Sequence, residues 1–257
     1  MPLTQTVRPS VPVRAHIGSK TLRFASVVAM LGALSGCQGI VSTAPLAQLR
    51  VIDASPDAPG LDVYLNTTAV AYNLGFGTIT SYFPANPDTY TISARSAGTA
   101  QVLATAKVTV AVNSQYTILI GNTSASLQES ILKDQSQAAP TGQISLRFIS
   151  EATRVSAMDV YLIPAGQKLT AVTPVFTNLT LSANTGYLNV PAGAYTLVLV
   201  PTGTVPTSAT VATYSGAQVT YATGSARTII LIDQQLVTTP GLQVLTAVDY
   251  DSPTAIS

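Results

Sequence analysis

The 257-residue sequence holds no tryptophan, one cysteine and one histidine, and only 9% of its residues are charged. Each scarcity narrows the chemistry. The lone histidine, His16, lies in an N-terminal segment expected to be removed, which excludes Ser-His-Asp and Cys-His catalysis from the mature chain. Zinc or copper held by the usual nitrogen and sulfur ligands is excluded for the same reason. Once that segment is gone the charge falls from +1 to −3 and the eight remaining basic residues are scattered, so no electrostatic footprint for nucleic acid forms. No stretch carries a convincing apolar stripe of helical period, and no apolar run reaches membrane-spanning length. What remains is a chain that is 47% apolar and rich in Thr, Ser, Val, Ala and Tyr, the profile of a β-rich extracytoplasmic protein with hydroxyls over its surface.

The N-terminus has the layout of an export signal. Arg8, Arg14, Lys20 and Arg23 form a basic stretch, followed by the apolar run "FASVVAMLGALSG" from Phe24 to Gly36. That run is too short to cross a bilayer as a helix and suits the apolar region of a signal peptide. It ends in "LSGC", Leu34 to Cys37, which resembles the lipobox of bacterial lipoproteins. The resemblance implies cleavage before Cys37 and a diacylglycerol on its sulfur. Several acyl chains at about 0.8 kcal/mol per buried methylene give a stable membrane anchor. Gln38, in place of aspartate, points to the outer membrane of the cell envelope. Loss of residues 1–36 leaves eight basic against eleven acidic residues, a net charge of −3, and no free thiol.

The rest of the chain is one unit repeated. "LRVIDASPDAPGLDVYL" (Leu49 to Leu65) returns as "LRFISEATRVSAMDVYL" (Leu146 to Leu162) at an offset of 97 residues. "YTILIG" (Tyr116 to Gly121) answers "RTIILID" (Arg227 to Asp233) at 111, and Leu127 to Asp134 answers Leu242 to Asp249 at 115. The growing offset places insertions between matched runs, as surface loops allow. The expected layout is a signal peptide 1–36, a lipidated Cys and linker 37–47, repeat 1 at 48–136, a joint 137–142, repeat 2 at 143–251 and a tail 252–257. Within each unit the runs are short, β-branched and bounded by Pro, Gly and Asn turns, and several alternate, as in "YTISA", "AQVTYAT" and "RTIILID". "SASLQESILKDQS" is read as strand because its partner "LQVLTAVDYD" is. About seven strands per unit predict an all-β chain of two tandem antiparallel β-sandwiches, Ig-like in architecture.

The signature "RVIDASPDAPGLDVYL", with a later strand-like "YTI", resembles the bacterial family catalogued as domain of unknown function 4397. Its members open R-V-x-H-x-S-P-D-A-P-x-V-D-V-Y and occur in tandem in lipoproteins and surface proteins. The resemblance implies fold and address rather than activity. Where the family often has histidine, this chain has Asp53 in the first unit and Ser150 in the second.

Two sets of residues qualify as a site. Asp53, Asp57 and Asp62 could contribute oxygens to calcium, with loop carbonyls and water completing the shell. Their spacing is not that of an EF-hand, and positions 53 and 57 become Ser150 and Arg154 in the second unit. Only Asp62 persists, as Asp159, so turn chemistry is the favoured reading, with each aspartate accepting backbone N–H bonds. The tyrosines, Tyr64 and Tyr161 in register together with Tyr72, Tyr82, Tyr187, Tyr214 and Tyr221, could present a sugar-stacking surface or fill the core with hydroxyls at the rim. "GFG" at Gly75 to Gly77 is a turn rather than a phosphate loop. The chain is therefore expected to be a non-enzymatic, lipid-anchored envelope protein with structural or adhesive modules and no cofactor beyond the lipid. A ligand-binding lipoprotein that takes glycan or peptide on exposed tyrosines or in an inter-domain groove is the alternative.

Overall fold

Short β-branched runs punctuated by turn residues become strands throughout. The computed structural model describes residues 45–235 and 241–251. The expected signal peptide 1–36, Cys37 and the expected tail 252–257 lie outside the described residues. The first repeat supplies β1 (Ala47–Asp53), β2 (Leu61–Leu65), β3 (Thr68–Leu74), β4 (Phe83–Ala85), β5 (Thr89–Ser96), β6 (Val102–Thr109), β7 (Gln115–Gly121) and β8 (Gln128–Asp134). The second supplies β9 (Gln143–Ser150), β10 (Met158–Pro164), β11 (Phe176–Leu179), β12 (Asn184–Pro191), β13 (Gly193–Pro201), β14 (Tyr214–Tyr221), β15 (Ala226–Asp233) and β16 (Leu242–Tyr250).

Each repeat folds as two four-stranded sheets with the same order. The first has β4-β1-β7-β8 and β3-β2-β5-β6, and the second has β12-β9-β15-β16 and β11-β10-β13-β14. The all-β sandwich expectation holds, with three refinements. The eighth strand of the first unit is β4, because "FPA" is an edge strand on β1 rather than a turn. Its Pro84 lacks an N–H and is tolerated at a sheet edge. The second refinement is one parallel pair per sandwich, β1 with β7 and β9 with β15, each joined through the strands of the opposite sheet. The third is a pair of short 3-10 turns, Ser124–Ser126 ahead of β8 in "SASLQESIL" and Leu169–Ala171 between β10 and β11.

Alternation sends two different surfaces out of each inner sheet. Leu49 and Val51 of β1, with Ile118 and Ile120 of β7, enter the core of the first sandwich beside Leu61, Val63 and Ile92. Leu146 and Phe148 of β9, with Ile229 and Leu231 of β15, do the same in the second beside Val160 and Leu199. The alternate residues, Ile52 and Leu119 from one repeat and Ile149, Ile230, Ile232 and Ala247 from the other, form a third buried cluster that joins the repeats. Burying each large aliphatic side chain contributes about 1.5–3 kcal/mol, so this joint is a core in its own right. The residues from Pro45 onward accordingly form one compact unit of four stacked sheets.

Candidate functional site

The joint between the repeats is fastened by a reciprocal set of buried ion pairs. In β1, the Arg50 guanidinium donates from Nε to Thr117 Oγ1 at 2.8 Å, from Nη1 to the Val248 carbonyl at 2.8 Å and from Nη2 to Asp249 of the other repeat. In β9, Arg147 repeats the pattern, donating to Thr228 Oγ1 at 2.9 Å, to the Lys133 carbonyl at 3.1 Å and to Asp134 of the first repeat at 2.5 Å. Thr117 donates to Asp134 at 2.6 Å and Thr228 to Asp249 at 2.7 Å. The hydroxyls of Tyr82 and Tyr187 donate to Asp134 and Asp249 at 2.7 and 2.9 Å. Each tyrosine ring also lies 4.7 Å from its own repeat's guanidinium carbon. Burial first, then the neighbouring carboxylate, pushes both phenols far above the usual range, so they remain donors. Two cations and two anions balance, and every charge has several hydrogen bonds, the condition under which a buried pair is sustained. An interface in which residue i meets j' while i' meets j is isologous.

Where the two signature turns come together, the joint opens into a groove of about 460 Å³. One wall is Pro56 and Asp57 with Thr123, and the other is Thr153 and Arg154 with Asp233, Gln234 and Gln235. Asp57 and Arg154 occupy corresponding positions of the repeat, so a carboxylate on one side answers a guanidinium on the other. The walls are held by their own bonds. Asp57 accepts from Ser124 N at 2.7 Å and Oγ at 3.1 Å. Asp233 accepts from Thr153 N and Oγ1 at 2.8 and 2.7 Å and from Arg154 N at 3.1 Å. Gln235 Nε2 donates across the groove to the Pro56 carbonyl at 2.6 Å. A volume in the range of ligand pockets, with carboxylate, guanidinium, carboxamide and hydroxyl groups converging on it, suits a polar ligand held by many hydrogen bonds.

The three aspartates singled out in the sequence go to separate hydrogen-bond sets. Asp53 ends β1 fully buried, with one oxygen accepting from Ser55 N at 3.0 Å and the other without a partner. Burial pushes its carboxyl up to about 7. Asp57 is in the groove. Asp62 opens β2 and accepts from Asn73 N at 2.8 Å and Gly98 N at 2.9 Å, which hold it below the usual carboxylate range. Its donors sit on β3 and in the β5–β6 turn, not in the preceding turn. Asp159 makes the equivalent bonds to Asn178 N at 2.9 Å and Gly203 N at 3.2 Å. Among the described residues no three His, Cys, Asp or Glu side chains gather as a metal-binding group.

The tyrosines also separate. Tyr64 is half-buried, with the Arg95 guanidinium 4.1 Å from its ring centre. Tyr161 is only 3% exposed, because the longer β10–β11 connection lays Leu169 and Val172 over it beside Val198 and Val200. A shared ligand surface on Tyr64 and Tyr161 therefore does not form. Tyr72 is 72% exposed and stands on β3. Sequence reasoning missed Arg50, Arg147, Asp134 and Asp249 as a set, although all four fall in matched runs of the repeat. An arginine inside an apolar strand, twice in register, was the available signal.

Two further carboxyls are buried. Glu151, beside Gly121, accepts from the Asn122 N–H and is pushed up to about 7 by burial. A Cβ on Gly121 would lie 2.1 Å from its carboxylate, so only glycine admits it. Glu129 on β8 accepts from Ala94 N at 2.8 Å with one oxygen, the other having no partner, and burial raises it to about 7 as well.

Among solved structures, an alpha-glucan-binding streptococcal virulence factor is 11% identical, covering 60% of this chain and 80% of its own, with a TM-score of 0.22. A family 26 carbohydrate-binding module from Eubacterium rectale, in complex with maltoheptaose, is 10% identical over 80% of this chain and 98% of its own, at 0.25. A putative cell adhesion protein from Bacteroides fragilis is 10% identical over 80% and 99%, at 0.21. Likeness at this level identifies no ligand. No curated protein matches the chain. Residues 47–161, from β1 to the Asp-Val-Tyr of β10, match the family described as "Domain of unknown function (DUF4397)".

Proposed function

We propose that the chain is a non-catalytic binding or adhesive module of the cell envelope, anchored by lipid on Cys37 to the outer membrane, which engages an envelope glycan or protein through the groove between its repeats. The observation that carries this reading is the polar groove of about 460 Å³, built from corresponding turns of two repeats that a buried ionic joint holds rigidly together. Rigid walls reduce the ordering cost of binding. The carboxylates of the groove are saturated by backbone and hydroxyl donors, which favours holding a ligand over moving a proton. The carboxyls raised toward neutrality, Asp53, Glu129 and Glu151, are enclosed in the fold.

Co-sedimentation of the processed protein with isolated peptidoglycan sacculi and with outer-membrane vesicles tests the reading. Retention by one of them, reduced at least tenfold by a Gln235→Ala plus Asp57→Ala double variant, is expected. Release of soluble saccharide or peptide fragments from either material would overturn the non-catalytic assignment. Retention by neither would overturn the binding role. The anchor has its own check: Cys37→Ser is expected to shift the protein from the detergent to the aqueous phase on partitioning.

A further inference from the structure

The two sandwiches differ at one edge. In the first, Glu129 of β8 reaches across to the backbone N–H of Ala94 on β5, stapling the two sheets together. The repeat places Val244 of β16 at the corresponding position, which accepts nothing. The edge there stays open, and a cleft of about 200 Å³ lies between β14 and β16. Corresponding valines record the difference. Val108, opposite Tyr90, is 6% exposed, whereas Val219, opposite Tyr195, is 46% exposed.

We propose that this cleft binds one neutral hexose ring of a glycan, at a site separate from the groove between the repeats. Its walls are the rings of Tyr195, Tyr214 and Tyr221 with Leu197 and Val244, and Thr246 adds a hydroxyl. No lining side chain is charged, and the Arg227 guanidinium that acts on Tyr221 from beside the cleft is already paired with Asp251, which suits a neutral ligand. The volume lies below the roughly 300–1,000 Å³ of ordinary ligand pockets, so it holds a single ring. Tyr195 donates to the Pro191 carbonyl at 2.9 Å, whereas among the described residues the hydroxyls of Tyr214 and Tyr221 donate to no protein group and are not enclosed, so they open onto the cleft. Three tyrosines, two of them with hydroxyls open to the cleft, match a ring with C–H faces and a hydroxyl rim better than an aliphatic side chain, which offers nothing to those hydroxyls. Tyr214 reaches this position over Gly216, where a Cβ would stand 3.0 Å from its hydroxyl.

Calorimetric titration of the processed protein with methyl glucoside, methyl galactoside and N-acetylglucosamine tests the site, with toluene as an apolar ring. At least one sugar is expected to bind. Tyr221→Phe should weaken it about fivefold, the loss of one neutral hydrogen bond. Ala217→Trp, which fills the mouth from an exposed position, should abolish it, and Gly216→Ala, which displaces the Tyr214 ring, should weaken it. Tyr72→Ala, on the other sandwich, and the groove double variant should leave it unchanged. Melting curves matched to the parent establish that each variant folds. Absence of binding by every sugar, or binding unaffected by Ala217→Trp and Gly216→Ala, would overturn the proposal. So would toluene binding that displaces the sugar and is indifferent to Tyr221→Phe.

Discussion

Arg50 and Asp249 are 199 residues apart in the chain and share a buried bond, and Arg147 meets Asp134 across the same joint. Removing one partner strands a charge out of water, so Asp249→Ala is expected to cost about 3–5 kcal/mol in urea unfolding, while Arg50→Met with Asp249→Leu recovers most of the loss. The raised carboxyls make a second residue-level prediction. Asp53, Glu129 and Glu151 ionise near pH 7 when folded, against ordinary values of 3.8, 4.5 and 4.5. Between about pH 4 and 7 the folded state holds protons that the unfolded chain releases, so this contribution is fully present below about pH 4 and is lost as pH rises through 7. The midpoint of thermal unfolding should fall between pH 5 and pH 8, and Glu151→Gln should flatten that decline. Asp62 has the opposite sign, since its lowered carboxyl contributes stability that disappears on acidification. In the sequence these residues were visible only as matched letters. Repeat matching finds Arg50 with Arg147 and Asp134 with Asp249, but it aligns equivalent residues and says nothing of pairs that cross between units.

At the scale of strands, Asp62 and Asp159 act as clamps that tie two neighbouring elements to a third. Each holds an asparagine, Asn73 or Asn178, whose φ of 46° or 60° is left-handed, at an irregularity of strand pairing. Asp62→Ala removes the acceptor shared by the N–H groups of Asn73 and Gly98 and is expected to lower the unfolding midpoint in the same assay. Asp159→Ala should lower it by a similar amount, because the same bonds recur. The persistence of this aspartate was legible from the repeat, and so was its structural character. The identity of its donors was not, because they arrive from turns that share no motif. Inner strands exposed a different limit. "RTIILID" reads as alternating, yet β15 is buried on both faces apart from Arg227. Period-2 patterning records which residues face apart, and a strand covered on both sides is apolar at every position. Continuous apolar runs in "YTILIG" and "RTIILID" were the sequence's mark of sheets stacked four deep.

For the whole molecule, the shared cluster around Ile52, Leu119, Ile149 and Ile230 couples the two repeats. One cooperative transition by both calorimetry and tyrosine absorbance is expected, and a separately produced second repeat should self-associate through its bared inner sheet. Two resolved transitions would show that the joint contributes little. The joint also has the symmetry of a homodimer, in which one surface recognises its own copy. Here both copies lie on a single chain, linked through Ala138 to Gly142. Their association is therefore unimolecular, and dilution cannot dissociate it. The paired form is thus as complete where the protein is sparse as where it is abundant. Residues facing each other across the joint are also free to diverge, as Asp57 and Arg154 have, which two identical chains encoded by one sequence could never do.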